Sequence, residues 1–262
     1  MTLFLNIIIF CLGLAIGSFL NVCIYRMPQD LSIVKPGSFC PACKTPIPWR
    51  YNIPLIGFLW LRGKCAHCHQ PISWRYFWVE LTSELLWLLL WQTQGFSWGF
   101  LISVIFLSAM IVVTITDVET GLIPDRVAIP GMVLGLVLSV VNHEGFPQGL
   151  WYHKILASAA GLLGGGAFLF VTGWIGNVLF RKESMGGGDV KLLAMMGAFF
   201  GFYKAFWVFI LAPFIALPFA LWQRIVHKEE TIPYGPFLVF WGVLLFTQGD
   251  WILKLISQWY GV

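Results

Sequence analysis

Two aspartates in this sequence lie where an apolar segment meets a polar one. Asp117 follows the apolar run that ends in TIT, and Asp189 lies between the glycines of MGGGDVK and the apolar LLAMMGAFFGF. An acid at the edge of a membrane segment is costly to keep, and such acids commonly serve a function. Two carboxyl groups that lie close together share a proton, so one can act as a general base on water while the other polarises a carbonyl. This is the chemistry of an aspartic protease.

The same acids have other interpretations. The helix dipole stabilises an acid near a helix N-terminus, which suits Asp189, and Asp125 in LIPDRV is suited to cap the helix that follows it. A transporter in which Asp117 and Asp189 carry protons or cations is a further alternative, although carrier sites usually lie near the bilayer midplane. The residues alone leave capping, transport and a catalytic pair open.

Four cysteines form a second group, as two CxxC pairs that are each followed by a similar sequence, TPIPWRY or QPISWRY. Such pairs hold Zn²⁺ in a closed tetrahedron of thiolates at about 2.3 Å, which is typical of a structural metal site. Disulfides would require this loop to lie outside the reducing cytoplasm, and a redox or vestigial site is the remaining alternative. The spacing predicts a structural zinc site with four ligands, Cys40, Cys43, Cys65 and Cys68.

Membrane helices must position these groups. Of the 262 residues, 58% are hydrophobic and 11% are charged, whereas soluble domains carry about 25% charged residues. The composition predicts an all-α polytopic membrane protein with about eight transmembrane helices and a small cytoplasmic zinc-binding loop domain between the first two. A turn is expected at GFYKA, residues 201–205. The predicted spans lie near residues 3–24, 77–94, 98–116, 127–142, 154–176, 190–203, 205–222 and 236–256.

The basic residues predict the orientation. Seven of the sixteen lie between the first and second spans, so the positive-inside rule places that loop in the cytoplasm and the N-terminus outside. Asp117 and Asp189 then face the cytoplasm. The first span has no basic residue before it and no cleavage site after it, so we expect it to be retained rather than cleaved as a leader. The charges are spread along a loop rather than clustered on one face, which predicts no nucleic-acid partner, while the apolar composition predicts membrane lipids as the surroundings.

Five blocks of the sequence, in order, resemble one family. They are GSFLNVCIYRMP at 17–28, the paired CxxC loop, DVETGLIPD at 117–125, GGGDVKLLAMMGAFFG at 186–201 and IPYGPFL at 232–238. The chain resembles, over nearly its whole length, the prepilin peptidases (type IV leader peptidases), which are GxGD intramembrane aspartyl proteases. The resemblance implies that Asp117 and Asp189 are the catalytic pair and that Gly186 and Gly188 are the motif glycines. Asp125 matches a recurrent acid of the family and is the substitute if Asp117 fails.

The resemblance also implies the substrates and a second activity. The family removes the basic leader of type IV prepilins and pseudopilins after glycine, in the bacterial inner membrane. Many members also methylate the new N-terminal amine with S-adenosylmethionine, an activity assigned to the N-terminal part with the zinc loop. We therefore expect a methyltransferase region at residues 1–76 and a peptidase domain at 77–262.

Glu80, at the edge of the second span, is our candidate for a role in methylation, and an ion pair with Arg75 or Lys64 is the structural alternative. Two further alternatives concern the whole chain. It could be a non-enzymatic scaffold that binds a partner through the zinc loop, or a protease of a membrane protein other than a prepilin.

Overall fold

The computed structural model describes residues 2–142, 145–146, 150–181, 185–228 and 232–260. These residues form helices and two isolated β-bridges but no sheet, which agrees with the predicted all-α class. Residues 182–184 and 229–231, which lie between predicted spans, are outside the described residues. The helices are α1 Thr2–Arg26, α2 Ile56–Trp60, α3 Trp74–Gln94, α4 Trp98–Thr120, α5 Asp125–Leu138, α6 Trp151–Phe180, α7 Gly187–Val226 and α8 Gly235–Tyr260, with short 3₁₀ turns at Met27–Gln29 and Trp49–Tyr51.

Within the described ranges, α1, α4, α6 and α7 are long and apolar enough to cross a membrane, and α8 contains a shorter apolar stretch, Gly235–Gly249. The chain is therefore a multi-pass membrane protein, while the count of eight spans stays a prediction. A continuous α7 of 40 residues would extend about 60 Å, twice the hydrocarbon thickness of a bilayer. It is interrupted at Gly201, where φ is 83° and ψ is 175°. This is the first residue of the predicted turn, and its backbone conformation is one that glycine adopts readily.

Residues Met1–Val112 form one compact unit, built on the packing of α1 against α3. The two helices approach closely at Gly17, where a Cβ atom would lie 2.9 Å from the Cα atom of Glu80. Small residues permit such contact between membrane helices. This unit ends at Val112 rather than at residue 76, the predicted boundary between the two functional regions. That functional division stays a prediction.

Residues Val113–Val262 form the second compact unit, with α7 packed against α5, α6 and α8. Residues 192–200 of α7 are all buried. Glycines allow this packing: Gly135 of α5 lies against Ala198, and Gly161 of α6 lies against the backbone of Gly197. The first half of α7 is therefore the central helix of the unit, and Asp189 lies at its N-terminal end.

Candidate active site

Asp117 lies in the last turn of α4, where it is buried. The helix ends because Gly121 adopts a left-handed conformation (φ 66°), and the Gly121 N–H donates to the Asp117 carbonyl oxygen at 2.8 Å. This is a common way for a helix to end. The carboxyl group of Asp117 is thereby held at the end of α4, within the protein interior.

Asp189 lies in the first turn of α7 and is also buried. Gly186 is the N-cap, with extended backbone angles (φ −71°, ψ 138°), and its carbonyl oxygen accepts a hydrogen bond from the Asp189 N–H at 3.2 Å. The Asp189 Oδ1 atom is buried and has no hydrogen-bond partner among the described residues. A buried polar atom without a partner is rare, and an exception calls for an explanation such as a catalytic role.

The N-terminal end of α8 also lies at this site, beside the ends of α4 and α7. Gly235 begins α8, and its N–H donates to Asp117 Oδ2 at 2.8 Å. The Asp117 and Asp189 carboxyl groups lie close enough to interact electrostatically. The C-terminal end of α4 and the N-terminal ends of α7 and α8 thus converge on two buried carboxyl groups. Such a pair can share a proton and activate water.

The motif glycines are explained by space rather than by unusual backbone angles. A Cβ atom at Gly188 would lie 2.9 Å from Ile123 Cβ, and one at Gly186 would lie 3.1 Å from Asp189 Oδ2. A Cβ atom at Gly187 would meet nothing within 4 Å. The two predicted motif glycines are therefore crowded positions, and the glycine between them is not.

Tyr234 was not singled out from the sequence, although it lies in the IPYGPFL block. It is half-buried and immediately precedes α8. Burial and the nearby charge of Asp189 raise the pKa of the Tyr234 phenol. The hydroxyl group, which is protonated at neutral pH even at the ordinary pKa of tyrosine, is a hydrogen-bond donor near Asp189.

Asp125 is the first residue of α5, and its N-cap is Pro124, with no side-chain capping hydrogen bond. The interpretation of Asp125 as a helix cap is therefore wrong. Its carboxylate instead accepts two hydrogen bonds from Lys191 Nζ, at 2.6 and 2.8 Å. The two side chains are 55% and 40% exposed.

The four cysteines of the predicted zinc site come together, with their sulfur atoms all within 4.8 Å of one another. Two such atoms, on Cys40 and Cys68, are 3.9 Å apart, close to the separation of about 3.8 Å expected in a zinc–thiolate tetrahedron. Hydrogen bonds from Thr45 lower the pKa of the Cys43 thiol to about 6. The donor set and its spacing fit Zn²⁺.

The two cysteine pairs, which are followed by similar sequences, form the same kind of hairpin. The bridge Phe39–Pro46 closes the first hairpin, and the bridge Lys64–Pro71 closes the second. The backbone N–H of Cys40 donates to the carbonyl oxygen of Thr45, and that of Cys65 donates to the carbonyl oxygen of Gln70 at the equivalent position. Each pair of sulfur atoms is therefore presented by the same local backbone.

Comparisons with known proteins identify the family. The model of the type IV leader peptidase family matches residues 104–221, and that of the bacterial peptidase A24 N-terminal domain matches residues 11–93. A prepilin leader peptidase/N-methyltransferase of Neisseria gonorrhoeae is 32% identical over 95% of this chain and 92% of its own length. The chain belongs to the type IV leader peptidase family.

Other members of the leader peptidase family are similarly close. Proteins of the same name from Aeromonas salmonicida and Pseudomonas aeruginosa are 30% and 32% identical to this chain, over 97% and 95% of it and 92% of each relative. No solved structure matches the chain. The family confirms the predicted enzyme class, a peptidase, and does not favour the transporter or scaffold alternatives. The roles of individual residues stay predictions.

Proposed function

We propose that this leader peptidase removes the basic leader of type IV prepilins or pseudopilins after glycine, with Asp117 and Asp189 as the catalytic pair. The observation that carries the proposal is the convergence of three helix ends on these two buried carboxyl groups. The names of the relatives support the substrate class. The site faces the cytoplasm of a bacterium, at its inner membrane, and the N-terminus lies outside, as the distribution of basic residues supports.

The reaction requires one ionised and one protonated carboxyl group. The ionised group takes a proton from water as the water oxygen attacks the carbonyl carbon of the leader's last glycine. The protonated group donates to the carbonyl oxygen, and the two steps form a tetrahedral intermediate. Transfer of a proton to the amide nitrogen then breaks the C–N bond and releases the new N-terminal amine.

The N-terminal region, residues 1–76, carries a second activity in this proposal, the methylation of that amine. S-adenosylmethionine, when bound, supplies an electrophilic methyl group carried on a sulfonium centre. The names of the relatives include N-methyltransferase, which supports this activity. The four cysteines hold a structural Zn²⁺, because four thiolates fill its coordination shell and leave no open position for chemistry.

A cleavage assay on purified protein in detergent tests the proposal. The substrate is a prepilin with a basic leader and a Gly-Phe junction, and mass spectrometry identifies the products with and without S-adenosylmethionine. We expect the wild-type protein to cleave the prepilin after glycine. Asp117→Asn and Asp189→Asn should each lower the rate of cleavage at least about a thousandfold. Asp30→Asn, a change at an exposed aspartate, is the matched control and should cleave normally.

The outcomes separate the two activities. An added methyl mass that depends on S-adenosylmethionine supports the methyltransferase. Retained cleavage by folded Asp189→Asn contradicts the proposed pair. Retained cleavage by Asp117→Asn alone removes Asp117 from the pair and leaves Asp125 as its substitute.

A further inference from the structure

The unit Met1–Val112 contains a cavity of about 680 Å³ between α1, α3 and the cysteine hairpins. Cavities of roughly 300–1,000 Å³ are typical of small-molecule sites. Two of the zinc-site cysteines, Cys40 and Cys65, line it. Its aromatic lining residues, which offer surfaces on which a planar ring can stack, are Tyr25, Phe39, Tyr51, Phe58 and Tyr76.

One polar group in the cavity wall is a buried acceptor without a partner. Asn21 is 2% exposed, and its Nδ2 atom donates to the carbonyl oxygen of Tyr76 at 3.0 Å. Its Oδ1 atom has no hydrogen-bond partner among the described residues. Since buried acceptors are nearly always paired in folded proteins, this oxygen points to a ligand that carries an N–H or O–H donor.

A second group in the wall is the carboxyl of Glu80, which is 8% exposed. Its Oε2 atom accepts a hydrogen bond from the Leu55 N–H at 2.7 Å. This bond ties the hairpin region to α3 but leaves further acceptor capacity on the carboxyl group. A cationic ligand beside a buried carboxyl favours its ionised form, so the position suits a positively charged centre.

The cavity wall also carries positive charge. The Arg26 guanidinium is held by the carbonyl oxygens of Ser32 and Gly37, both at 2.9 Å, and the Arg50 guanidinium lies over the Tyr51 ring at 4.9 Å. Arginine readily binds carboxylates. The cavity therefore combines aromatic surface, a carboxyl group, an unpaired acceptor and guanidinium groups.

We propose that this cavity binds S-adenosylmethionine, with Glu80 beside one of its cationic groups and Asn21 Oδ1 accepting from one of its N–H groups. The ligand has a purine ring, cationic groups and a carboxylate, and the cavity offers aromatic rings, the Glu80 carboxyl group and guanidinium groups that are complementary to them. The inference rests on the proposed methyltransferase function and adds the place where the methyl donor binds. It makes the cysteine hairpins part of the binding wall.

Equilibrium dialysis of the full-length protein in detergent, with tritiated S-adenosylmethionine and no prepilin, tests this site. Asn21→Ala removes the unpaired acceptor, and Glu80→Gln removes the charge while keeping an oxygen for the Leu55 N–H. We expect each change to weaken binding at least about tenfold. Asn6→Ala is the matched control, because Asn6 also lies on α1 and makes one hydrogen bond to α3, from Trp91 Nε1 at 2.9 Å. It should bind like wild type.

Zinc content and prepilin cleavage report whether each variant is folded. Wild-type binding that neither Asn21→Ala nor Glu80→Gln weakens overturns this site and leaves the proposed methylation intact. Absence of both binding and methylation in wild type overturns this site and the methyltransferase proposal together, while cleavage tests the peptidase separately. If a variant does not fold, ultraviolet cross-linking of the labelled ligand to wild type decides. Label in peptides of the cavity wall supports the site, and label only elsewhere overturns it.

Discussion

Asp117 Oδ2 accepts a hydrogen bond from the Gly235 N–H, whereas the buried Asp189 Oδ1 has no partner among the described residues. The two side chains therefore differ in their surroundings although both are buried aspartates at helix ends. Tyr234 adds a protonated hydroxyl near Asp189. At the scale of the residue, the site combines two acids, one backbone donor and one phenol.

We predict that Tyr234→Phe lowers the rate of prepilin cleavage about a hundredfold, because one positioned donor is removed near a developing negative charge. The measurement is single-turnover cleavage in detergent. Tyr203→Phe is the control, since Tyr203 is 59% exposed on α7, and it should cleave at the wild-type rate. A rate for Tyr234→Phe within about twofold of wild type would contradict the role.

The glycine motif gives a second prediction at this scale. Gly188→Ala places a methyl group against Ile123, and overpacking of this kind destabilises by about 1–3 kcal/mol. Gly187→Ala meets open space. We expect thermal unfolding of the first variant at a lower temperature together with at least about tenfold slower cleavage, and near-normal behaviour of the second. Equal effects of Gly188→Ala and Gly187→Ala would contradict the steric explanation.

At the scale of the element, α5 and α7 are joined by packing and by the ion pair between Asp125 and Lys191. Gly131 lies against Met195 and Gly135 against Ala198, and a Cβ atom at either position would overlap that neighbouring side chain. The ion pair between Asp125 and Lys191 is well exposed to solvent, and such pairs contribute about 0–1 kcal/mol. The buried packing of α5 against α7 therefore contributes most of the stability of this contact, and the ion pair adds little.

We predict that Asp125→Asn reduces the rate of cleavage only severalfold and changes the unfolding temperature little, since an exposed pair is lost. Lys191→Met should behave in the same way, and the double variant should lose little more than either single one. The comparison uses the prepilin assay together with thermal unfolding. Complete loss of cleavage in folded Asp125→Asn would instead make Asp125 a catalytic acid.

At the scale of the whole molecule, the two proposed activities belong to different parts of the chain. The cysteine cluster lies within the unit Met1–Val112, and the aspartate pair lies within the unit Val113–Val262. The cysteine hairpins bring the four sulfur atoms together, whereas the carboxyl pair is built from the ends of α4, α7 and α8. Loss of metal should therefore affect the two activities unequally.

We predict that the double change Cys40→Ser and Cys43→Ser removes zinc and abolishes methylation but leaves prepilin cleavage near the wild-type rate. Metal analysis, methyl transfer and cleavage are measured on the same preparation. Cys11→Ser is the control, because Cys11 is exposed and lies outside the cluster. Loss of cleavage in correctly folded protein that lacks the zinc site would refute the separation.

Much of the local chemistry could be predicted from the sequence. The apolar runs determined the helical membrane class, because hydropathy is a property of consecutive residues. The CxxC spacing determined the two hairpins and their sulfur cluster, since each hairpin closes within a few residues. The break in α7 could also be predicted, because the apolar run at 190–222 is too long for one membrane-spanning helix. It falls at Gly201, the first residue of the predicted turn. Asp117 and Asp189 could be identified as candidates because they lie at the edges of apolar runs.

Only the tertiary structure decided how distant groups combine. The hydrogen bond from Gly235 to Asp117 joins residues 118 positions apart, and the pairing of Lys191 with Asp125 spans 66 positions. The cavity that includes Asn21 and Glu80 likewise depends on how α1 packs against α3. Spacing and hydropathy describe neighbours along the chain, whereas these contacts depend on how helices approach one another. That approach is set by close packing at glycines, which a single sequence does not reveal.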